Sequence, residues 1–393
     1  MKKILIVGGG FGGLVAARKL SKSTRVNVTL VSELDHFRYS PALYRVATGQ
    51  RQRIAVIPLA EILPSKINFV KGEAERINRK NKVLILKDGT RLKYDAIILS
   101  LGVVTSYFGI PGLEELSYGI KTLEELEDLH RHLHHDLIKD QSFDANYIIV
   151  GGGPTGVELA ASLGHYMRKL ARQHKIRKRK VNLKLIEAQP RILPSMSKKA
   201  TLRVSRKLND LGVDIEIDSE VLYETTRTLR VDQQSIPTKS VIWTAGTVNN
   251  PFYEMNSSEF DINSRHKIVV DDRLQVDKHT YVIGDNAATT YSGLAQTAIH
   301  QANYVSRNIV REISGKEHKS YKSSRPTSVI PVGRDWAVLQ YGSLVITGRI
   351  ASLVRYLADL IGYADVMGWR ESIKIWRSET KSIECKFCQD SEK

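Results

Sequence analysis

Gly8, Gly10 and Gly13 stand at the spacing with which a strand-to-helix turn lays bare backbone against a pyrophosphate. The apolar run Lys3-Ile4-Leu5-Ile6-Val7 precedes them, and Phe11, Gly12, Ala17 and Leu20 carry the pattern into an alanine-rich segment. Tyr147-Ile148-Ile149-Val150 introduces the same arrangement again, with Gly151, Gly153 and Gly156, Pro154 and Thr155 in the turn, and Ala160 and Leu163 beyond it. A helix that starts at such a turn presents unpaired N–H groups and the positive end of its dipole, both of which favour a diphosphate. Two such motifs in register, each behind a strand, imply two dinucleotides and electron transfer between them.

Three acids extend the pattern. Glu33 ends the alternating run Val26-Asn27-Val28-Thr29-Leu30-Val31-Ser32, about twenty residues after Gly13, where a carboxylate grips ribose hydroxyls. Glu187 ends Val181-Asn182-Leu183-Lys184-Leu185-Ile186 in the second copy. An acid there accepts from the ribose of NAD and repels the extra phosphate of NADP, so NADH is the expected donor although Arg191 follows closely. Asp285 closes Thr280-Tyr281-Val282-Ile283-Gly284 at the carboxyl end of a strand, where ligands of open α/β sheets collect; capping of the next helix is the alternative. His130, His132, His134 and His135 have no cysteine or carboxylate set around them, so a solvated helix face is expected and no metal site.

Composition narrows the class. A chain of 393 residues with 42% hydrophobic content supports two or three soluble domains. Too few apolar residues precede Gly8 for a signal peptide, and no run approaches the ~20 that span a bilayer, so a cytosolic start is expected. Lysine plus arginine total 59 against 42 acids, a net charge of +17, which favours polyanions: anionic lipid, nucleic acid or the dinucleotides themselves. Arg168, Lys169, Arg172, Lys175, Arg177, Lys178, Arg179 and Lys180 concentrate part of it. No aromatics interleave them, which argues against a single-strand binder and for a solvated helix end. The cysteines are Cys385 and Cys388, consistent with a reducing compartment. With no redox pair in the first 384 residues, electrons must leave a flavin directly for an acceptor. The tail itself reads as half a metal site, a redox pair or a neutral end.

The order of elements predicts an α/β protein with two Rossmann-like dinucleotide-binding domains, an FAD domain interrupted by an NAD domain. Strands Val83 to Leu86 and Leu92 to Leu99 flank the turn at Asp88-Gly89, Ile110-Pro111-Gly112 marks the crossing, and Leu123 to Leu137 is helical. The expected division is 1–112 and 246–320 for the FAD domain, 113–245 for the NAD domain, and 321–393 for a C-terminal region.

With these residues in place the chain resembles the type II NADH:quinone oxidoreductases over roughly residues 1–320. The resemblance rests on the two fingerprints and on Tyr39-Ser40-Pro41-Ala42-Leu43-Tyr44-Arg45-Val46-Ala47-Thr48-Gly49, Gly156-Val157-Glu158-Leu159-Ala160, Trp243-Thr244-Ala245-Gly246, and Gly284-Asp285 followed by Ala295-Gln296-Thr297-Ala298-Ile299-His300-Gln301. It implies bound FAD, NADH as donor, a quinone as acceptor, no proton pumping, and a peripheral place on the cytoplasmic face of the cell membrane. By the same resemblance FAD is held by Gly8, Gly10, Phe11, Gly12, Gly13, Glu33, Ser40, Pro41, Ala74, Gly102, Asp285 and Ala295. NADH is held by Gly151, Gly153, Pro154, Thr155, Gly156, Glu187 and Gly246. Glu158 is implied beside flavin and nicotinamide, positioning the amide or moving protons; a helix-dipole partner is its plainer role. Gln296, His300 and Gln301 are read as one helical face toward the acceptor, with core hydrogen bonding as the alternative. The family pattern there is Ala-Gln-x-Ala-x-Gln-Gln, and His300 departs from it, which leaves the quinone type open. Ser100-Leu101-Gly102 likewise departs from the family's Ala-Thr-Gly.

Beyond Tyr321 the character changes. Ile350, Leu353, Val354, Leu357, Leu360 and Ile361 fall on one helical face, with Arg349, Arg355 and Asp359 off it. Trp369, Ile373 and Trp376 follow among Arg370, Lys374 and Arg377. The stripe reads as a helix lying in an anionic membrane surface, worth ~5 kcal/mol of apolar burial. A contact with the flavin domain or a homodimer interface is the alternative. The rival activity is a soluble FAD-dependent NADH oxidase or reductase feeding oxygen or a small redox protein. Sulfide:quinone chemistry is disfavoured by the missing internal cysteines, and a flavin-containing nucleic-acid binder by the apolar stripe.

Overall fold

The apolar runs ahead of the two glycine turns become inner strands of two sheets, the second parallel and the first parallel except at one edge. The computed structural model describes residues 1–140, 143–176 and 180–378; Arg177, Lys178, Arg179, Cys385 and Cys388 lie outside the described residues. Strand β1 (Lys2–Val7) passes through the first turn into helix α1 (Phe11–Leu20), and β2 (Val26–Ser32) returns parallel to β1. A hairpin over 36–58 encloses helix α2 (Leu43–Ala47). Strand β3 (Ile67–Lys71) then adds to β2, and β4 (Ala96–Leu99) to the other side of β1. The run Leu92 to Leu99 is therefore two elements. Its first residues close a three-stranded meander, and Asp95, which accepts from the Lys3 N–H at 2.7 Å, turns the chain into the sheet.

The chain leaves through β5 (Val103–Thr105) and builds a second unit from helix α3 (Leu123–Asp140), β6 (Tyr147–Val150), α4 (Pro154–Gln173), β7 (Leu183–Ile186), α5 (Lys198–Asp210), β8 (Val213–Glu216) and β9 (Ser240–Trp243). It returns through β10 (Thr247–Asn249), which pairs antiparallel with β5, so the outgoing and incoming segments form one two-stranded ribbon. Strand β11 (Gln275–Asp277) and β12 (Thr280–Val282) rejoin the first sheet, followed by α6 (Ala295–Ile313), which packs on α1. The sheet orders are β11-β12-β4-β1-β2-β3 and β8-β7-β6-β9. Both put the glycine turns at the carboxyl edge, the ligand side of such sheets.

Three antiparallel strands, β13 (Ser328–Pro331), β14 (Ala337–Tyr341) and β15 (Leu344–Gly348), lead to helices α7 (Arg349–Met367) and α8 (Trp369–Ser378). Helix α7 is amphipathic with its apolar side outward: Ile350 is 68% exposed and Leu353 60%, whereas Asp359 is buried. Leu360 is half-buried and off the outer row, and Trp376 turns inward, donating its indole N–H to the Tyr356 carbonyl at 2.8 Å. The histidine-rich helix is also not a solvated face. His130 bonds the Ala47 carbonyl at 3.0 Å, His132 bonds Ser240 Oγ at 2.8 Å, and His134 lies buried against the Tyr166 hydroxyl, where burial pushes its pKa down to about 4. These three fasten α3 to its neighbours, and His135 alone of the four is exposed.

Candidate functional site

The two turns are built alike. Gly8 has φ +111° and Gly151 +112°, a backbone region that suits glycine. A Cβ on Gly13 would lie 1.8 Å from the Gly8 carbonyl oxygen, and one on Gly156 1.9 Å from that of Gly151. Only glycine permits helix and strand to approach so closely. The middle glycines differ from these in kind. A Cβ on Gly10 or Gly153 would meet nothing within 4 Å, and each residue is the N-cap of its helix, α1 or α4. Open space against bare backbone at a helix N-terminus fits a pyrophosphate in both halves.

A second repeated feature escaped the sequence reading. The Ser100 hydroxyl is shared between the Val7 and Gly8 carbonyls at 3.0 and 3.3 Å; that of Thr244 is shared between Val150 and Gly151 at 2.8 and 3.2 Å. Each hydroxyl clamps the first glycine of its turn from the neighbouring strand. The signal was a doubled Ser/Thr-x-Gly, since Gly102 and Gly246 follow with φ +72° and +70°.

The acids do not correspond as the residue count suggested. The Gly8 N–H donates to the Val31 carbonyl and the Gly151 N–H to that of Ile186, both at 2.8 Å. By this register Ser32, not Glu33, matches Glu187, and Glu33 lies one residue farther along and exposed. Glu187 already accepts from the Gly152 N–H at 2.6 Å and the Gln189 N–H at 2.8 Å. Arg191 donates to the Met196 and Pro194 carbonyls, which commits it to its own loop.

Around the first turn, Phe11 packs edge-on against Phe37 with ring centroids 5.0 Å apart, and Gly12 faces Ile283. Ser40 is exposed, the Pro41 carbonyl accepts from Arg355 at 3.2 Å, and Ala74 is buried in the core beneath the meander. Asp285 accepts from the Gly293 N–H at 3.1 Å, and burial raises its pKa against the pull of Lys267. Its neighbour Asn286, unnoticed in the sequence, accepts from the Gly102 N–H at 2.8 Å and donates to the Gly102 carbonyl at 2.6 Å. It also reaches Asn249 on the crossing ribbon. Pro154 and Thr155 are exposed at the start of α4.

Helix α6 does not present its three candidates together. Gln301 is fully buried, accepting from the Gly284 N–H at 2.6 Å and donating to Thr289 Oγ1 at 2.8 Å, so it braces the turn that carries Asp285. Gln296 exchanges hydrogen bonds with the Thr327 backbone, and His300 bonds the Tyr321 hydroxyl at 3.2 Å. These two, four residues apart, share a face and tie it to the segment leading into β13. The single-face reading is corrected for Gln301, which follows His300 directly and so projects about 100° away around the helix.

Glu158 is buried in the first turns of α4, and burial raises its pKa to about 7 against the pull of Arg355 and Arg45. Those arginines come from α7 and α2. Arg45 donates to Asp359 at 2.9 Å, Tyr39 Oη donates to the same carboxylate at 2.8 Å, and Arg355 completes the cluster. Nothing local in the sequence marks Asp359 or Arg355 as belonging beside Glu158.

Residues 2–302 match the model of the pyridine nucleotide-disulphide oxidoreductase family, and the chain belongs to that family. Among curated proteins it is 29% identical to a type II NADH:quinone oxidoreductase of Mycobacterium tuberculosis, over 92% of this chain and 85% of that one. It is also 29% identical to a demethylphylloquinone reductase of Synechocystis, over 91% of each. Among solved structures, NDH2 from Plasmodium falciparum in complex with NADH has the same fold, with a TM-score of 0.81 at 16% identity, covering 96% of this chain and 97% of that one.

Proposed function

We propose that this protein oxidises NADH through bound FAD and delivers the electrons to a quinone at a lipid surface, without pumping protons. The observation that carries the reading is the doubled cradle, two glycine turns with the same clamp and the same open space over the middle glycine. Bound FAD would supply the redox chemistry, the uptake of a hydride and the release of an electron pair. Gly8, Gly10, Phe11, Gly12, Gly13, Ser40, Pro41, Ala74, Gly102, Asp285 and Ala295 would hold it, and Glu33 stands exposed one residue past the position that matches Glu187. Gly151, Gly153, Pro154, Thr155, Gly156, Glu187 and Gly246 would hold NADH. The engagement of Arg191 elsewhere leaves the Glu187 carboxylate to select against a ribose phosphate.

The balance of the reaction assigns work to Glu158. NADH, a proton and a quinone give NAD⁺ and a quinol, so one proton must enter from outside the donor. Glu158, half-protonated near neutral pH, passes it inward and recovers it from solvent. Gln296 and His300 are the polar groups proposed to face the quinone; Gln301 holds the turn behind them.

No helix among the described residues is long and apolar enough to cross a membrane. The outward row Ile350, Leu353, Val354, Leu357 and Ile361, with Trp369 beyond it, supports peripheral seating on the anionic cytoplasmic face, helped by the net charge of +17. The division into FAD segments 1–112 and 246–320, NAD segment 113–245 and a docking region from 321 follows from the same reading. Anaerobic stopped-flow tests it. NADH should bleach the flavin, and a short-chain quinone should restore the colour far faster than air. Restoration by oxygen at the same rate would favour the soluble oxidase instead.

A further inference from the structure

Helix α7 turns its charges inward. Asp359, 2% exposed, accepts from Tyr39 Oη and Arg355 on one oxygen and from Arg45 on the other. Arg355 also donates to the Pro41 carbonyl at 3.2 Å, and the Tyr39 and Tyr363 rings stack with centroids 4.1 Å apart. One turn of α7 thus grips both ends of the Tyr39–Arg45 segment. A buried Arg–Asp–Arg cluster is a poor device for stability, because apolar residues of similar volume generally serve as well or better. The cluster leads to Glu158: α2, which carries Tyr44 and Arg45, packs on α4 beside it.

We propose that Arg355 and Asp359 are positioning residues which, together with Arg45, set the protonation of Glu158. The proposal rests on the reading of Glu158 as the group that hands a proton inward. Arg355 and Arg45 favour its carboxylate and Asp359 opposes it. Other groups packed on α4 add little: Tyr44 of α2 is buried and its pKa is raised, α3 brings His130, held by the Ala47 carbonyl, and His134, which burial keeps neutral against the Tyr166 hydroxyl, while β7 and β8 bring Lys184, Asp214 and Glu216, which pair with one another. Strands β6 and β13 bring no charge, and α5 turns Ala200, Val204 and Leu208 inward. The lipid-facing helix is therefore also a wall of the proton-bearing centre, with aliphatics on one side and the control of Glu158 on the other.

The test is a pH titration of the Glu158 carboxyl by infrared difference spectroscopy on the FAD-loaded protein, the band being assigned by its loss in Glu158→Gln. Asp359→Asn should lower the midpoint by about one unit and Arg355→Gln should raise it by about one unit. Arg355→Lys, which keeps the charge, should hold it near the wild-type value. Opposite displacements are the signature, since general loosening of the helix moves both variants the same way. Unmoved midpoints, or a shared direction, overturn the proposal. If one variant does not fold, the direction in the other decides. Separated midpoints with an unchanged pH profile of quinone turnover support the charge control and remove instead the reading of Glu158 as the proton source.

Discussion

The first and second glycine turns share their backbone and differ in what stands over it. In both, the first glycine takes nearly the same positive φ, a hydroxyl from the adjacent strand clamps its carbonyl, and the middle glycine opens to space. In the first, Ser32 lies over the turn, close enough that a Cβ on Gly9 would come within 2.6 Å of its hydroxyl, and Glu33 stands outside. In the second, Glu187 fills the matching position and is already bonded to the turn through the Gly152 N–H. Backbone sterics dictate the cradle, so it recurs. The side chain one step past the strand is free to vary, and there the two sites part. The second site holds its carboxylate in place through the Gly152 and Gln189 N–H groups.

The largest effects should come from the shared part. Gly13→Ala and Gly156→Ala each drive a methyl into a carbonyl, a strain of about 2–3 kcal/mol. Gly13→Ala should purify with little FAD, whereas Gly156→Ala should stay yellow and lose roughly 30- to 100-fold in NADH kcat/KM. Equal loss of flavin in both would break the assignment of one nucleotide to each turn. Next come the acids. Glu187→Ala removes a charged hydrogen bond worth about 1.5–3 kcal/mol, and the KM for NADH should rise at least tenfold while NADPH gains. Glu33→Ala, at an exposed site, should change FAD affinity by about 0.5 kcal/mol or less. Comparable losses would restore the equivalence that the register removes. The clamps rank third at about 1 kcal/mol each. Ser100→Ala should weaken FAD retention and Thr244→Val NADH binding, each several-fold and without crossing over.

The last expected effect is on stability. Glu158 has a folded-state pKa raised above its unfolded value, so its contribution is present at acid pH and lost as pH rises through about 7. Between pH 6 and 8 the melting temperature should fall by roughly 1–2 °C more in wild type than in Glu158→Gln, for about 1 kcal/mol. Identical slopes would mean that Glu158 titrates outside this window.

What was legible in the sequence was local. The glycine spacing, the strands ahead of it and the interruption of one unit by another depend on short stretches whose periodicity survives without tertiary contacts. What was hidden depends on register or on distant partners. Counting residues from Gly13 to an acid selected Glu33, because the turn between α1 and β2 sets the register and carries no mark of its length. Asn286 was passed over beside the more chemical Asp285, yet it is the residue that holds Gly102. The stripe on α7 forms a face from which Leu360 turns away, and Arg355 and Asp359 were placed off it with no partner named, since their partners lie on α2 and beside Pro41, most of the chain away. For Gln301 the sequence left an acceptor face and core hydrogen bonding both open, and its partner, the Gly284 N–H, which decides for the core, becomes visible only when the turn after β12 folds over the helix.

The assignment of one cradle to each nucleotide is tested most directly by a crystal structure of the protein grown with FAD and NADH. The account predicts the FAD pyrophosphate over Gly10 and the NADH pyrophosphate over Gly153, with the adenosine ribose of NADH on Glu187. Density for both nucleotides in one turn, the reverse order, or a bare Gly153 with NADH bound elsewhere would contradict it.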